Sequence, residues 1–320
     1  MLAPKPWTTV SEQIRKLHTR GMDVSWDQTE HWLQAVGYYR LSGYWHPFRI
    51  RLGEDIVSKM FAPGTSFRET AQLYEFDRKL KIHMLSGIER VEVAMRTRIA
   101  DVLGERSSMA LWERDQFRDG SRAAELIAIM RKRIHRAIDS RDPVALHHQE
   151  KYGERFPVWV AVEFLDFTDV SRLYESLQPV DQEAVATWFG WVPPVRHPEA
   201  KFGAPMGNWL RHLTVVRNTA AHQARLWNRV FEPVSAKKLS MVEGLGELRG
   251  QQGHLYGSVV VLARLLQAAS PGSTWALQLR ALLEASFAPL LSVSWSQMGF
   301  PEDWKSLPPF RFPSSGRTTG

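Results

Sequence analysis

Apolar residues recur at helical spacing along most of the chain. Residues 9–20 (TVSEQIRKLHTR) open on Thr9 or Ser11 as a cap and place Val10, Ile14 and Leu17 on one face, which predicts a short amphipathic helix. The stretch SWDQTEHWLQAVGYYRLSGYW, 25–45, keeps helical spacing until Pro47 ends it. Between 46 and 67, Gly53, Pro63 and Gly64 punctuate Ile50, Leu52, Ile56 and Val57, a pattern that suits an extended hairpin or loop. From 66 to 103, Leu73, Phe76, Leu80, Met84, Ile88, Val91, Met95 and Ile99 recur every three or four positions and predict one long helix. Its other side carries Asp77, Arg78, Lys79, Lys81, Glu89, Arg90, Glu92, Arg96 and Arg98. It reads as a solvated face laced with i,i+4 ion pairs such as Glu92–Arg96.

Residues 121–141 predict a further helix whose basic run includes Arg131, Lys132, Arg133 and Arg136. Such a run is an ordinary solvated face or a surface that follows a phosphate backbone. The segment PVWVAVEFLDFTDVSRLYESL, 157–177, starts on a proline suited to a first turn and predicts a helix bent near Phe167–Thr168. The proline-rich segment 191–205 is a loop. It leads to a helix through 208–229, and two more helices are expected near 256–269 and 272–287. The tally predicts an all-α fold, with no strand–helix alternation of a parallel-sheet nucleotide fold and no glycine-rich phosphate loop. Three segments are expected: an N-terminal helical region with a hairpin or loop (1–65), a helical core (66–232) and a C-terminal helical extension with an irregular tail (233–320).

Composition narrows the functional classes. The chain has 320 residues and no cysteine, which excludes disulfides, thiol catalysis and cysteine-ligated zinc. Its longest apolar runs, such as VVVLARLL at 259–266, are broken by charge well short of the roughly 18 residues a spanning helix needs, so no membrane span is expected. The start MLAPKPWTTV lacks the basic and apolar regions of a secretory signal, and a cytoplasmic location is expected. A net charge of +7 leans toward a polyanionic partner such as nucleic acid.

The candidate chemistry lies in VVRNTAAHQARLWNR, 215–229. Trp209, Leu213, Val216 and Ala220 define the packed face of its helix, whereas Asn218 and His222 stand one turn apart on another face. Arg217 is five residues from His222, about 140° round, and its long stem or a partner helix must close that gap. The three groups suit cleavage of an RNA phosphodiester. Histidine gives or takes a proton near neutrality, arginine offers a permanently charged fork to phosphate oxygens, and asparagine orients the imidazole or donates to the phosphate. No metal or cofactor is required. Arg225 and Arg229 lie one and two turns beyond His222 and extend a positive track. Spacing alone is weak: similar Arg–His pairs occur at Arg40–His46 and Arg141–His147, and a helix histidine bonded to a neighbour satisfies the same pattern. A metal reading of His147 and His148 is discounted, since adjacent helix positions diverge by about 100° and no partner stands at useful spacing.

Four blocks in order, VGYYRLSGYWHPFR (36–49), the long stretch at 64–100, 157–177 and NWLRHLTVVRNTAAHQARLWNR (208–229), together with the ending MGFPEDWKSLPPF (298–310), resemble the bacterial Abi-like family of abortive-infection proteins, AbiD/AbiF type. The resemblance covers roughly 5–310. It implies a HEPN-like helical bundle with the N-terminal and C-terminal regions above, and an R-x4-H active site at Arg217, Asn218 and His222. It further implies a metal-independent endoribonuclease of phage-defence or toxin–antitoxin type that leaves a 2′,3′-cyclic phosphate. A homodimer that joins two motifs is expected, as is a structured small RNA acting as antitoxin. Arg131, Lys132, Arg133, Arg136, Arg225 and Arg229 are the RNA-binding candidates. Glu89, Glu92 and Arg96 are supporting residues near the site or members of intrahelical ion pairs. Arg40 sits among Tyr38, Tyr39, Tyr44 and Trp45 as a packing centre or an RNA contact. Two rivals remain: a non-catalytic protein that assembles with a structured RNA, and a HEPN protein engaged in nucleotide transfer.

Overall fold

The computed structural model describes residues 6–53, 56–235, 241, 248, 250–287, 290 and 293–311. The described residues are mostly helical, with one two-stranded antiparallel hairpin. Two compact units emerge, one formed by Met1–Ile82 with Leu279–Gln297 and the other by His83–Gln278 with Met298–Gly320.

The first unit begins with α1 (Val10–Thr19), whose N-cap is Thr9: its hydroxyl accepts from the Glu12 amide at 3.2 Å while the Glu12 carboxylate accepts from the Thr9 amide at 2.7 Å. The single helix expected over 25–45 is two, α2 (Trp26–Ala35) and α3 (Tyr38–Trp45). Gly37 separates them at φ +89°, a left-handed value that its missing Cβ permits. Strands β1 (Arg49–Arg51) and β2 (Val57–Phe61) form the anticipated hairpin. Helix α4 (Phe67–Gly104) runs uninterrupted through the end of this unit into the next. Two residues of its supposed solvated face are fully buried. Asp77 accepts from the Tyr44 hydroxyl at 2.7 Å, and the Lys81 ammonium lies 3.2 Å from the same carboxylate oxygen. A buried charge is tolerable only with such partners. Tyr44 and Trp45 pack as expected, but Tyr39 and Arg40 are exposed, so Arg40 is no packing centre.

The second unit contains the rest of α4, then α5 (Gly120–Asp139), α6 (Pro143–Tyr152), α7 (Val158–Ala161), α8 (Phe167–Ser176), α9 (Pro179–Trp188), α10 (Gly203–Ala221) and α11 (Leu255–Ala269). Helix α12 (Trp275–Phe287) starts here and ends in the first unit. The helix expected over 157–177 is divided: after α7 a 3-10 turn runs over Val162–Phe164, Leu165 is extended, and Asp166 caps α8 by accepting from the Asp169 amide at 3.0 Å.

Helix α10 packs on α8, α9 and α11. Its start is fixed by Glu183 of α9, whose carboxylate accepts from the amides of Phe202 and Gly203, two donors a helix cannot satisfy itself. A Cβ at Gly203 would stand 2.9 Å from the Gln182 backbone, so glycine is what allows this approach. Trp209, Leu213, Val216 and Ala220 are fully buried, as their spacing requires, with the Trp209 and Trp191 rings 4.2 Å apart. Midway along, the buried His212 contacts the Glu232 carbonyl through Nδ1 and the Ser258 hydroxyl through Nε2, both at 2.7 Å. A carbonyl can only accept, so Nδ1 carries the hydrogen and Nε2 accepts from Ser258.

Burial pushes the His212 pKa below the ordinary histidine range, against a smaller opposing contribution from the Glu232 carbonyl, and burial shifts His83 the same way. The unfolded chain takes up these protons near pH 6.5 while the folded chain resists, so this stability is complete above about pH 6.5 and declines as pH falls below it. His212→Asn is expected to lower Tm at neutral pH through about 1–3 kcal/mol of lost hydrogen bonding, yet to flatten the fall of Tm between about pH 7 and 5. Thermal melts across that range check it, and equal slopes for both proteins would remove His212 from the account.

Candidate functional site

The turn between the 3-10 segment and α8 is where four elements meet. Arg96 of α4 donates from Nη2 to the Leu165 carbonyl at 2.5 Å and to Glu92 Oε1 at 2.6 Å. Arg133 of α5 donates from Nε to Asp169 Oδ2 at 2.7 Å, and its Nη2 forms a short ion pair with Asp166. Two guanidinium groups thus grip the segment 165–169 from opposite helices, one on backbone and one on two carboxylates. Thr168, in the first turn of α8, is held between these contacts. Its hydroxyl accepts from the Asn218 amide at 3.4 Å, and Asn218 Oδ1 accepts from Arg217 Nη1 at 3.1 Å. Arg96 and Arg133 thus hold the turn that carries Thr168, Thr168 accepts from Asn218, and Asn218 is the side-chain partner of the Arg217 guanidinium.

Glu92 shows how tightly charge is gathered here. Burial raises its carboxyl pKa, while Arg96 and then Arg217 oppose the rise and Asp166 and Glu89 add to it. Glu92 is therefore within electrostatic reach of both Arg96 and Arg217, and Glu89 acts on it from an exposed position on the same helix.

His222 is the C-cap of α10, and its imidazole is exposed without a hydrogen-bonding partner among the described residues. The helix stops there because Gln223 takes a left-handed φ of +58°. The Gln223 amide then bonds the Ala220 carbonyl and the Ala224 amide bonds the Thr219 carbonyl, both at 3.0 Å, which closes a Schellman motif. Arg211, Val215, Asn218 and His222 fall at i, i+4, i+7 and i+11 along one side of the helix, with Asn218 half-buried and the other three exposed.

The remaining candidates separate. Arg225 and Arg229 do not prolong the helix, since α10 ends at Ala221. Arg225 is half-buried in the turn that follows, and Arg229 is exposed with its guanidinium 5.8 Å from the Phe231 ring centre. Leu226 and Trp227 drive that segment inward. Arg131, Lys132 and Arg136 are exposed on α5, whereas Arg133 is turned to α8 and neutralised there. Arg40 and His46 are exposed in the other compact unit. His147 and His148 join an aromatic cluster, with the His148 ring 5.6 Å from Phe156. Thr168 had no motif to announce it. Asp166 and Asp169 carry the D-x-x-D spacing of a helix cap, the one local signal for this turn.

Arg133→Ala would strand the buried Asp169 carboxylate and is expected to cost about 2–3 kcal/mol, discounted from a fully buried pair because the guanidinium is partly exposed. Arg131→Ala and Arg136→Ala should each stay within about 0.5 kcal/mol of the parent. Urea denaturation distinguishes the two classes, and equal effects would mean that Arg133 does not anchor α8.

No helix among the described residues is long and apolar enough to cross a membrane. Neither curated proteins nor solved structures yield a match to the chain. The family described as Abi-like protein matches residues 31–228, well over half of the sequence and inclusive of every residue from Arg96 to His222 discussed above; the chain belongs to that family.

Proposed function

We propose that the chain is a defence protein of abortive-infection type that acts as a HEPN endoribonuclease, with Arg217, Asn218 and His222 as its reaction centre. The Arg217 fork binds the scissile phosphate and offsets the charge that grows on its oxygens. Asn218 holds that fork and offers its amide to the phosphate. His222 transfers the proton: the 2′-oxygen bonds to phosphorus, the bond to the 5′-oxygen breaks, and the products are a 2′,3′-cyclic phosphate and a 5′-hydroxyl. One imidazole cannot be base and acid in the same protonation state, so two copies of the site in a symmetric homodimer supply both roles. Arg211, Val215 and His222 are exposed on one side of α10, and a twofold contact would use that same patch on each chain. The protein's net charge of +7, with Arg131, Lys132 and Arg136 exposed on α5 and Arg225 and Arg229 beyond the site, suits an RNA partner, whether substrate or structured antitoxin.

The observation that carries the reading is the contrast within five residues. The half-buried Arg217 donates to Asn218, which in turn bonds Thr168, while the imidazole of His222 is left open to solvent at the end of the same helix.

Purified protein incubated with total RNA in excess EDTA is expected to generate cyclic-phosphate ends. His222→Ala should reduce the rate by about 10²–10⁴-fold while folding and RNA affinity persist. Equal cleavage by parent and variant rejects the site, and RNA binding without cleavage by either favours the non-catalytic assembly protein. Thr168→Val should lower kcat by a smaller factor at unchanged RNA affinity, with Thr168→Ser restoring it, since only the position of Asn218 is disturbed. An unchanged kcat would mean that Thr168 does not position Asn218.

A further inference from the structure

Helix α5 has a second working face. Arg131, Ile134, His135 and Ile138, at i, i+3, i+4 and i+7, line a cavity of about 440 Å³ away from the Arg133 side. Met109 and Trp112 close it from the segment before α5, and Glu154 and Phe156 from the segment after α6. The volume falls within the range of small-molecule sites, about 300–1,000 Å³. Its walls are braced: the Trp112 indole donates to the Phe156 carbonyl at 2.7 Å, and the Phe156 ring rests against Phe164, with centres 6.0 Å apart. Ile134 and Phe156 are buried at the floor, while Arg131, His135 and Glu154 are exposed at the rim. Gly153, at φ +57°, turns the chain where Glu154 reaches the mouth, and Glu154 lies 3.8 Å from the His135 ring nitrogen.

We propose that this cavity binds a guanine nucleotide, with the base on the Trp112 indole above the apolar floor, its Watson–Crick edge on Glu154 and its phosphate on Arg131. The apolar walls call for a flat ring, and stacking on aromatic groups is how unpaired bases are held. A carboxylate can only accept hydrogen bonds. Guanine presents two adjacent donors, N1–H and the 2-amino group, which one carboxylate takes together. Adenine sets an acceptor beside its amino group, and uracil flanks its single N–H with two carbonyls, so each turns a lone pair toward Glu154. Arg131 supplies the permanent cation that a phosphate needs and disfavours cationic ligands with the same flat shape.

The test is isothermal titration of the full chain with GMP, AMP, CMP and UMP. GMP is expected to bind tighter than the others by about tenfold or more, the scale of one bidentate base contact. Glu154→Gln should erase that preference, because its amide adds a donor opposite guanine donors. Arg131→Ala should weaken GMP and leave guanosine unaffected. Both substitutions are at exposed rim positions and spare the walls. GMP bound no better than AMP, or a preference that survives Glu154→Gln, overturns the proposal. Competition on His222→Ala protein by an oligouridylate with one internal guanosine, against one with an adenosine, identifies the source. Displacement of GMP by the first alone makes RNA the source, and displacement by neither makes it the free nucleotide; both are consistent with the pocket. Protein that binds GMP in this way and cleaves no RNA would reject the nuclease reading and leave this one intact.

Discussion

The grip of Arg96 and Arg133 on the segment 165–169 is the constraint from which the rest of the candidate site follows. Helix α8 needs a fixed first turn to meet α10, and the backbone before it is extended at Leu165, whose amide still bonds the Val162 carbonyl at 3.2 Å while its own carbonyl is left to Arg96. A guanidinium on the Leu165 carbonyl and another on Asp166 and Asp169 provide that hold from α4 and α5. Arginine suits the task because its planar fork spans two acceptors and is less hydrated than an ammonium group. The cost of removing these charges from water is offset by carboxylates already present in the turn, one of which also caps the helix.

The same cluster sets the electrostatic setting of Arg217. Acidic and basic groups are interleaved here, with Glu92, Asp166 and Asp169 against Arg96 and Arg133, and Glu92 is under pressure to take a proton because burial outweighs its arginine neighbours. Arg217 stands beside this cluster, with Asn218 as its direct partner and Glu92 within electrostatic reach. A charge so placed is fixed by its neighbours without being wholly spent on them.

Periodicity carried most of the fold. The eight apolar positions of α4 and the four of α10 are buried as their spacing demands, and the glycine- and proline-punctuated segment is a hairpin. The failures have local physical reasons. Apolar spacing continues smoothly across Gly37 and across Leu165–Asp166, yet a left-handed glycine and an aspartate cap break the two helices. Asp77 and Lys81 look like surface residues until Tyr44, 33 residues earlier, gives Asp77 a buried partner. At the candidate site, Arg217, Asn218 and His222 are singled out by family resemblance, with spacing alone indecisive. Thr168 is not, because its partner is 50 residues away and no local pattern encodes that pairing. The basic run on α5 likewise concealed that Arg133 faces inward while its neighbours face out.

The Schellman closure after His222 has an electrostatic corollary. Aligned peptide dipoles leave a partial negative charge, about half an electron, at the carboxyl end of a helix. An anion that reaches His222 therefore approaches the repulsive pole of α10, the reverse of the amino-terminal cradles in which many proteins hold phosphate. An anion placed there would have only side chains to hold it, with the helix end working against them.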